Sequence, residues 1–278
     1  MALLCAAPPT YMAGIIPYPY RPCPDFRYLT GVTQGGCAAL IESAGPLGDS
    51  RHRFTLFVPD PDAEGERWDG EVMQPAAALE HFGADCATHV RDAGRVLEPA
   101  LKAGGRLLCD WTRVHGRVRS FADPWRQQRE LRGEMGSLRE AVAESRWVKS
   151  PAEQGLLREG ARVTTAAMRV AMRASVAGAT EAKVAAAFEY ECRNRGAQRM
   201  AYPPVVAGGA DACTIHYLRN DKTLRDGDLL LMDAGCELHG YASDVTRTWP
   251  VSGRFSPEQR GVYEVVLAAY RECLALVR

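Results

Sequence analysis

Two aspartates carry the chemical argument. Asp233 closes the apolar run Asp228–Ala234, and Asp244 lies in the next strand-like run, Tyr241–Pro250. If the chain turns at Leu238–His239, Glu237 faces Gly240 and Asp233 faces Asp244. The two carboxylates then share one sheet face with Cβ atoms roughly 4.5–5.5 Å apart. Opposed carboxylates repel, and burial makes the repulsion worse. A hard divalent cation such as Mg²⁺ or Mn²⁺ prefers carboxylate oxygen and resolves both problems. Two such ions roughly 3.5–4 Å apart would share bridging carboxylates and activate a water. Two carboxylates are too few for a dinuclear site, and a different loop geometry would leave Asp233 and Asp244 as ordinary turn residues.

His216, in Thr214-Ile215-His216-Tyr217, is the second candidate. A single strand histidine is usually structural, but imidazole is also the side chain best suited to proton transfer near neutral pH. Upstream, Tyr202-Pro203-Pro204-Val205-Val206-Ala207-Gly208-Gly209 joins an aromatic, a rigid proline pair and a glycine pair. It reads either as a strand and turn or as a pocket wall where backbone must approach a ligand closely.

The elements that must position these residues are marked by periodicity and punctuation. In the first half, Met1–Ala7, Phe26–Thr30, Cys37–Ser43, His52–Val58 and Gly105–Cys109 read as strands. Pro75–Phe82, Val90–Lys102 and Pro124–Arg146 read as helices, the last capped by Asp123. Interleaved strands and helices imply an α/β domain, residues 1–146, with a boundary near Trp147–Ser150 and a second domain over 147–278. Ser150-Pro151-Ala152-Glu153 is a capping box that starts a helix running to about Ala174. A second helix, Glu181–Arg195, follows Thr180 and stops before Gly196. Tyr202–Ala207, Thr214–Tyr217, Asp228–Ala234 and Tyr241–Pro250 then read as an antiparallel meander, which makes this domain α+β. A second capping box at Ser256 opens a helix to the chain end. Its Val262, Val265, Val266, Ala269, Tyr270, Cys273, Leu274 and Val277 are apolar at largely helical spacing and want a partner surface.

Composition narrows the class. The 278 residues hold 34 basic and 34 acidic side chains, so nothing suggests the basic surplus of a nucleic-acid binder. No apolar run approaches the roughly 20 residues of a membrane span. Nine scattered cysteines without a CxxC suit buried free thiols in a reducing compartment rather than a disulfide framework. Met1–Ala7 lacks a basic flank and makes a poor signal peptide, and no transit peptide is expected within this chain.

Taken together, Tyr202–Gly209, His216-Tyr217, Asp233-Ala234-Gly235 and Ser243-Asp244-Val245-Thr246-Arg247-Thr248-Trp249-Pro250 resemble the creatinase-fold, or pita-bread, metallopeptidases. The resemblance is closest to aminopeptidase P and to its mitochondrial, intermediate-cleaving type. Pro17-Tyr18, Phe26–Gly31, Phe57-Val58-Pro59 and Trp68-Asp69-Gly70 resemble the family's N-terminal domain, and Lys149–Glu153 resembles the segment that opens its catalytic domain. The resemblance implies that Asp233 and Asp244 are metal ligands, with Asp244 bridging two Mn²⁺. It also implies that Tyr202 lines the substrate pocket and that His216 lies beside the bound peptide as a catalytic residue, placing or donating protons. The implied reaction releases the N-terminal residue of a peptide, typically one preceding proline, by metal-activated water, and the implied compartment is the mitochondrion. A cytoplasmic location and a homodimer are both compatible with it. For Arg247, strand packing or an ion pair with a site carboxylate is expected.

The chain departs from the family at one point. The family site uses a histidine and two glutamates beyond the two aspartates, five ligands in all. Here no histidine follows His239, and the only acids after Asp244 are Glu258, Glu264 and Glu272, in the terminal helix and outside any family motif. The chain also stops inside the helical pattern, and the meander has an open edge. Truncation and inactivity as given are therefore expected. Two other readings stay open: a pita-bread domain that binds peptide or protein without catalysis, and a prolidase-like dipeptidase.

Overall fold

The apolar N-terminal run is buried on both faces, as its lack of alternation requires. It forms β1 (Ala2–Cys5), with Leu3 and Cys5 packed in one core and Leu4 in another. The chain continues through a small exposed hairpin, β2 (Tyr11–Ala13) and β3 (Ile16–Pro17), then α1 (Pro24–Thr30), β4 (Ala38–Ser43) and β5 (His52–Val58). Next come α2 (Ala63–Asp69), α3 (Pro75–Phe82), β6 (Cys86–His89), α4 (Ala93–Lys102) and β7 (Leu107–Cys109). The unit ends with α5 (Gly116–Leu131), β8 (Met135–Ser137) and α6 (Leu138–Ser145). The computed structural model describes residues 1–45 and 51–277 and divides into two units, Met1–Val148 and Lys149–Arg278.

In the first unit β1 is central in a six-stranded mixed sheet ordered β6-β5-β4-β1-β7-β8. It runs antiparallel to β4 and parallel to β7. Leu97 of α4 and Val118 of α5 cover one face, and Phe26, Ala78 and Val142 of α1, α3 and α6 cover the other. This is the α/β arrangement the sequence implies.

Two expectations fail here. Phe26–Thr30 is helical, not a strand. Pro24 opens the helix, Gly31 closes it in the left-handed region (φ 74°), and the Thr30 hydroxyl donates to the Phe26 carbonyl at 2.7 Å. Phe26 and Thr30, one turn apart, are its buried face, a spacing that five residues cannot distinguish from a strand. Nor is Pro124–Arg146 one helix starting at Pro124. Pro124 sits inside α5, which starts at Gly116 because Val118 and Ala122 bury against the sheet one turn earlier. Gly133 (φ 68°) then lets the chain turn into β8, and Ser137 caps the separate α6 by accepting from Glu140 N–H at 3.1 Å.

The second unit opens with α7 (Pro151–Ala174). Both bonds of its capping box form: Ser150 N–H to Glu153 Oε2 at 2.7 Å and Glu153 N–H to Ser150 Oγ at 3.3 Å. Next are α8 (Glu181–Asn194), β9 (Arg199–Met200), β10 (Val205–Gly208), a single 3₁₀ turn (Gly209–Cys213) and β11 (Leu229–Ala234). They are followed by β12 (Cys236–Leu238), β13 (Tyr241–Ala242), β14 (Val245–Pro250) and α9 (Pro257–Leu276). The strands form two small antiparallel sheets, β10-β11-β14 and β13-β12-β9. Leu230, Met232 and Ala234 of β11 pack against Val163, Ala167 and Met168 of α7 and Val184 and Phe188 of α8. By alternation, Leu229, Leu231 and Asp233 point to the opposite face.

Thr214–Tyr217 is not a strand. Thr214, Ile215 and His216 are all exposed and only Tyr217 is buried, so the segment lacks the two-residue alternation of a half-buried strand. The expected apolar stripe of α9 exists and is exposed, with Val262, Val265, Val266, Tyr270 and Leu274 all more than half exposed.

All nine cysteines are free, and only Cys213 and Cys273 are exposed. Burial pushes the Cys5 thiol up to about 11 and those of Cys37 and Cys109 to about 12. Thiolate is the reactive species. A thiol-reactive disulfide reagent at pH 8 is therefore expected to label two cysteines quickly and all nine only in denaturant. Rapid labelling of the buried cysteines would contradict this packing.

Candidate metal centre

Asp233 and Asp244 meet, but not by the register the sequence suggests. The turn is at His239–Gly240, both with positive φ (50° and 87°), and it pairs Leu238 with Tyr241 and Glu237 with Ala242. Two successive left-handed residues suit the tight turn that matches strand twist. Carried outward, this register puts Asp233 opposite Thr246 and Ala234 opposite Val245. Asp244 is therefore a diagonal neighbour of Asp233 on the same face, not its direct partner. The two-residue offset keeps parity, so the shared face survives the error.

What closes the diagonal is a backbone crossing at Gly235. A Cβ built there would lie 1.7 Å from the Ser243 carbonyl oxygen. Only glycine allows Ser243–Asp244 to pass so near. The crossing is tied from beneath by buried hydroxyls. Ser243 Oγ lies 2.6 Å from Thr164 Oγ1 of α7, and Cys236 N–H donates to Ser243 Oγ at 3.1 Å. Ser243 Oγ also lies 3.1 Å from the Cys236 carbonyl, while Ser243 N–H donates to that carbonyl at 2.9 Å. Ser243 is the residue before Asp244, so this buried knot fixes where Asp244 emerges.

Asp233 is half-buried and Asp244 exposed. The Tyr202 hydroxyl lies between them, 2.5 Å from Asp233 Oδ1 and 2.8 Å from Asp244 Oδ1. Burial, then its bonds to the two carboxylates, holds the Tyr202 phenol well above its usual range. A phenol carries one proton and can satisfy only one of these contacts. The other contact needs a second positive centre, a proton or a cation. The point of convergence thus has the chemistry of one side of a hard-cation site. The donor number is insufficient: among the described residues no three His, Cys, Asp or Glu side chains are grouped to hold a metal ion. The acids after Asp244 lie on α9 and add no ligand to this pair.

His216 is exposed, in the segment between the 3₁₀ turn and β11. Its neighbour Tyr217 packs with Val205 and Ala207 of β10 and Leu231 of β11. Val205 is paired with Asp233 and Ala207 with Leu231, so Tyr217 covers the sheet face that carries Asp233. Arg247 is exposed and donates to the Thr246 carbonyl at 2.8 Å, with no ion pair to a site carboxylate among the bonds described for it. Thr164 is a residue of this crossing that sequence reasoning did not single out, and Gly235 and Ser243 stood in the quoted motifs without a role. The signal available was the Gly two residues after Asp233 and the Ser before Asp244, which mean little until register is known.

Comparisons with known proteins identify the family. Residues 155–278 match the model of metallopeptidase family M24, and residues 1–108 match that of the aminopeptidase P N-terminal domain. Intermediate cleaving peptidase 55, mitochondrial, of Arabidopsis thaliana is 38% identical over 275 residues, covering 99% of this chain and 54% of that protein. Xaa-Pro aminopeptidase 3 of Homo sapiens is 36% identical over 273 residues, covering 97% of this chain and 54% of that protein. Among solved structures, zinc-substituted Escherichia coli aminopeptidase P in complex with product superposes with a TM-score of 0.90 at 30% identity, over 100% of this chain and 64% of that one. The fold is that of a pita-bread metallopeptidase. More particularly, the chain belongs to the aminopeptidase P family, with that family's N-terminal domain followed by part of an M24 domain. It spans about half the length of the curated relatives named above.

The Gly235 crossing gives a direct test. Gly235→Ala is expected to cost several kcal/mol, because the new methyl meets backbone carbonyl that cannot step aside; forced overpacking alone costs roughly 1–3 kcal/mol. Gly155→Ala, in α7 with open space around its Cβ, should instead stabilise by about 0.5–1 kcal/mol. Urea unfolding of the two variants checks both signs.

Proposed function

We propose that this polypeptide serves a metal-dependent aminopeptidase that releases the N-terminal residue of peptides or proteins, typically one followed by proline. The observation that carries this reading is the convergence of Asp233, Asp244 and Tyr202 on one point in an M24 domain. The printed names of the relatives, Xaa-Pro aminopeptidase 3 and intermediate cleaving peptidase, support the substrate class. The mitochondrial relative supports a mitochondrial location.

In this reading Asp233 and Asp244 would supply carboxylate oxygens to a divalent metal, Mn²⁺. Such a cation supplies Lewis acidity that activates water and polarises a carbonyl. Tyr202 lines the substrate pocket and orients the carboxylates through its hydroxyl. His216, carried above the Asp233 face by Tyr217, places or donates protons beside the scissile bond. Residues 1–278 provide two of the five ligands this chemistry needs, and we infer that by themselves they do not turn over substrate.

The test has two parts. Titration calorimetry with Mn²⁺ should show at most weak binding to residues 1–278, further weakened about tenfold or more, 1.4 kcal/mol, by Asp244→Asn. An Xaa-Pro peptide assay with Mn²⁺ should show no release of the first residue. Mn²⁺ binding unaffected by Asp244→Asn would sink the ligand assignment. Turnover matching a full-length relative would sink the inactivity.

A further inference from the structure

Outside the carboxylate pair, two acids of the second unit are buried among the described residues: Glu237, ion-paired with Arg199 at 3.1 Å, and Glu181. Glu181, the first residue of α8, is fully buried, with a relative exposure of 0%. Its carboxylate is satisfied by three donors from segments distant in sequence. Oε1 accepts from Gly208 N–H at 2.9 Å, and Oε2 accepts from the Tyr217 hydroxyl at 2.8 Å and from Lys222 N–H at 3.1 Å. The Glu181 N–H in turn donates to the Lys222 carbonyl at 2.9 Å, and Thr180 bridges Thr223. A buried carboxylate is tolerated only with such compensation, and the helix N-terminus adds a favourable dipole.

These three donors bracket one segment. Gly208 precedes the 3₁₀ turn, Tyr217 follows His216, and Lys222 lies on the return toward β11. Asn220 completes the clamp on the β10 side: its side chain accepts from Val206 N–H at 2.9 Å and donates to the Pro204 carbonyl at 2.7 Å. Thr214, Ile215, His216 and Leu218 are exposed. Among residues 214–218 only Tyr217 is buried, and Ala212 is the other residue of the segment that packs against the same cluster.

We propose that Glu181 is a positioning residue: through the Tyr217 hydroxyl it holds residues 209–222 against β10 and so fixes His216 over the sheet face that carries Asp233. The role of His216 itself rests on the function proposed above, but the clamp does not. A carboxamide cannot reproduce this set, because each carboxylate oxygen faces a backbone N–H that can only donate, Gly208 on Oε1 and Lys222 on Oε2. The same contact is legible in Tyr217, whose phenol is pushed up to about 12 by burial, then by Glu181, with Asp211 and Asp221 adding to it.

The experiment compares the 278-residue protein with Glu181→Gln and Tyr217→Phe by NMR, with labelled histidine and [¹³Cζ]tyrosine, and by amide hydrogen exchange. In Glu181→Gln the carboxamide must present a donor to at least one donor. Exchange at Gly208 and Lys222 should rise about tenfold, the worth of one hydrogen bond. The Tyr217 ionisation should fall toward the ordinary tyrosine range, and the His216 imidazole signals should shift or broaden. Amides of Leu230 and Met232 in β11 should not change. Tyr217→Phe removes only the hydroxyl link and should move His216 in the same direction, which keeps the proposal open to refutation if Glu181→Gln fails to fold. His216 signals unchanged in Tyr217→Phe would overturn it. The clamp is judged on this ligand-free comparison alone, whereas the function proposed above is judged on the Mn²⁺ titration and the peptide assay, so the two readings fail separately.

Discussion

The site depends on a place where two backbone segments come closer than side chains permit. At Gly235 the Ser243 carbonyl occupies the position a Cβ would take. Everything chemical about the site follows from that contact. It lets the hairpin leave regular pairing between β11 and β12 without losing register, and it brings Asp244 diagonally toward Asp233. The buried hydroxyls of Thr164 and Ser243 saturate the backbone at the crossing. Unsatisfied polar groups there would cost roughly 1–3 kcal/mol each, so the hydroxyls are as much a requirement as the glycine.

Electrostatics supplies the second constraint. Two carboxylates held on one face repel, and nothing in the core of this unit compensates them. The fold places a single phenol proton between two acceptors instead. That proton answers half of the need. A cation bound at the same point would answer the other half. On the reverse side of β11, Leu230, Met232 and Ala234 lie in the largest apolar cluster described for the unit.

How far this was legible in sequence divides by the range of the interaction. The capping boxes at Ser150 and Ser256, the proline starts at Pro75 and Pro151, and the glycine stop at Gly196 are local, and the helices obey them. The misreadings arise where tertiary burial overrides a local signal. Asp123-Pro124 is a good helix start, yet α5 begins eight residues earlier to bury Val118. The pairing of Asp233 with Asp244 was misjudged by two residues because His239-Gly240, not Leu238-His239, adopts the left-handed turn. Parity protected the conclusion. Tyr202 was named as a pocket residue, but its hydroxyl contacts 31 and 42 residues away have no local signature.

The same division explains why the two carboxylate-bearing devices of this unit look so different in sequence. Asp233 and Asp244 sit in short motifs with small neighbours, Asp233-Ala234-Gly235 and Ser243-Asp244, and those motifs are what draw the proposed metal site to them. Glu181 sits in an ordinary helix start after a capping threonine, and nothing nearby marks it. Its partners are two backbone amides and a phenol, and backbone amides leave no trace in side-chain pattern. A buried acid of this kind can be found only when the structure shows that it is buried and counts its donors. Motif reading therefore locates groups aimed at a ligand, whereas the groups that aim them must be located by the accounting of buried polar atoms.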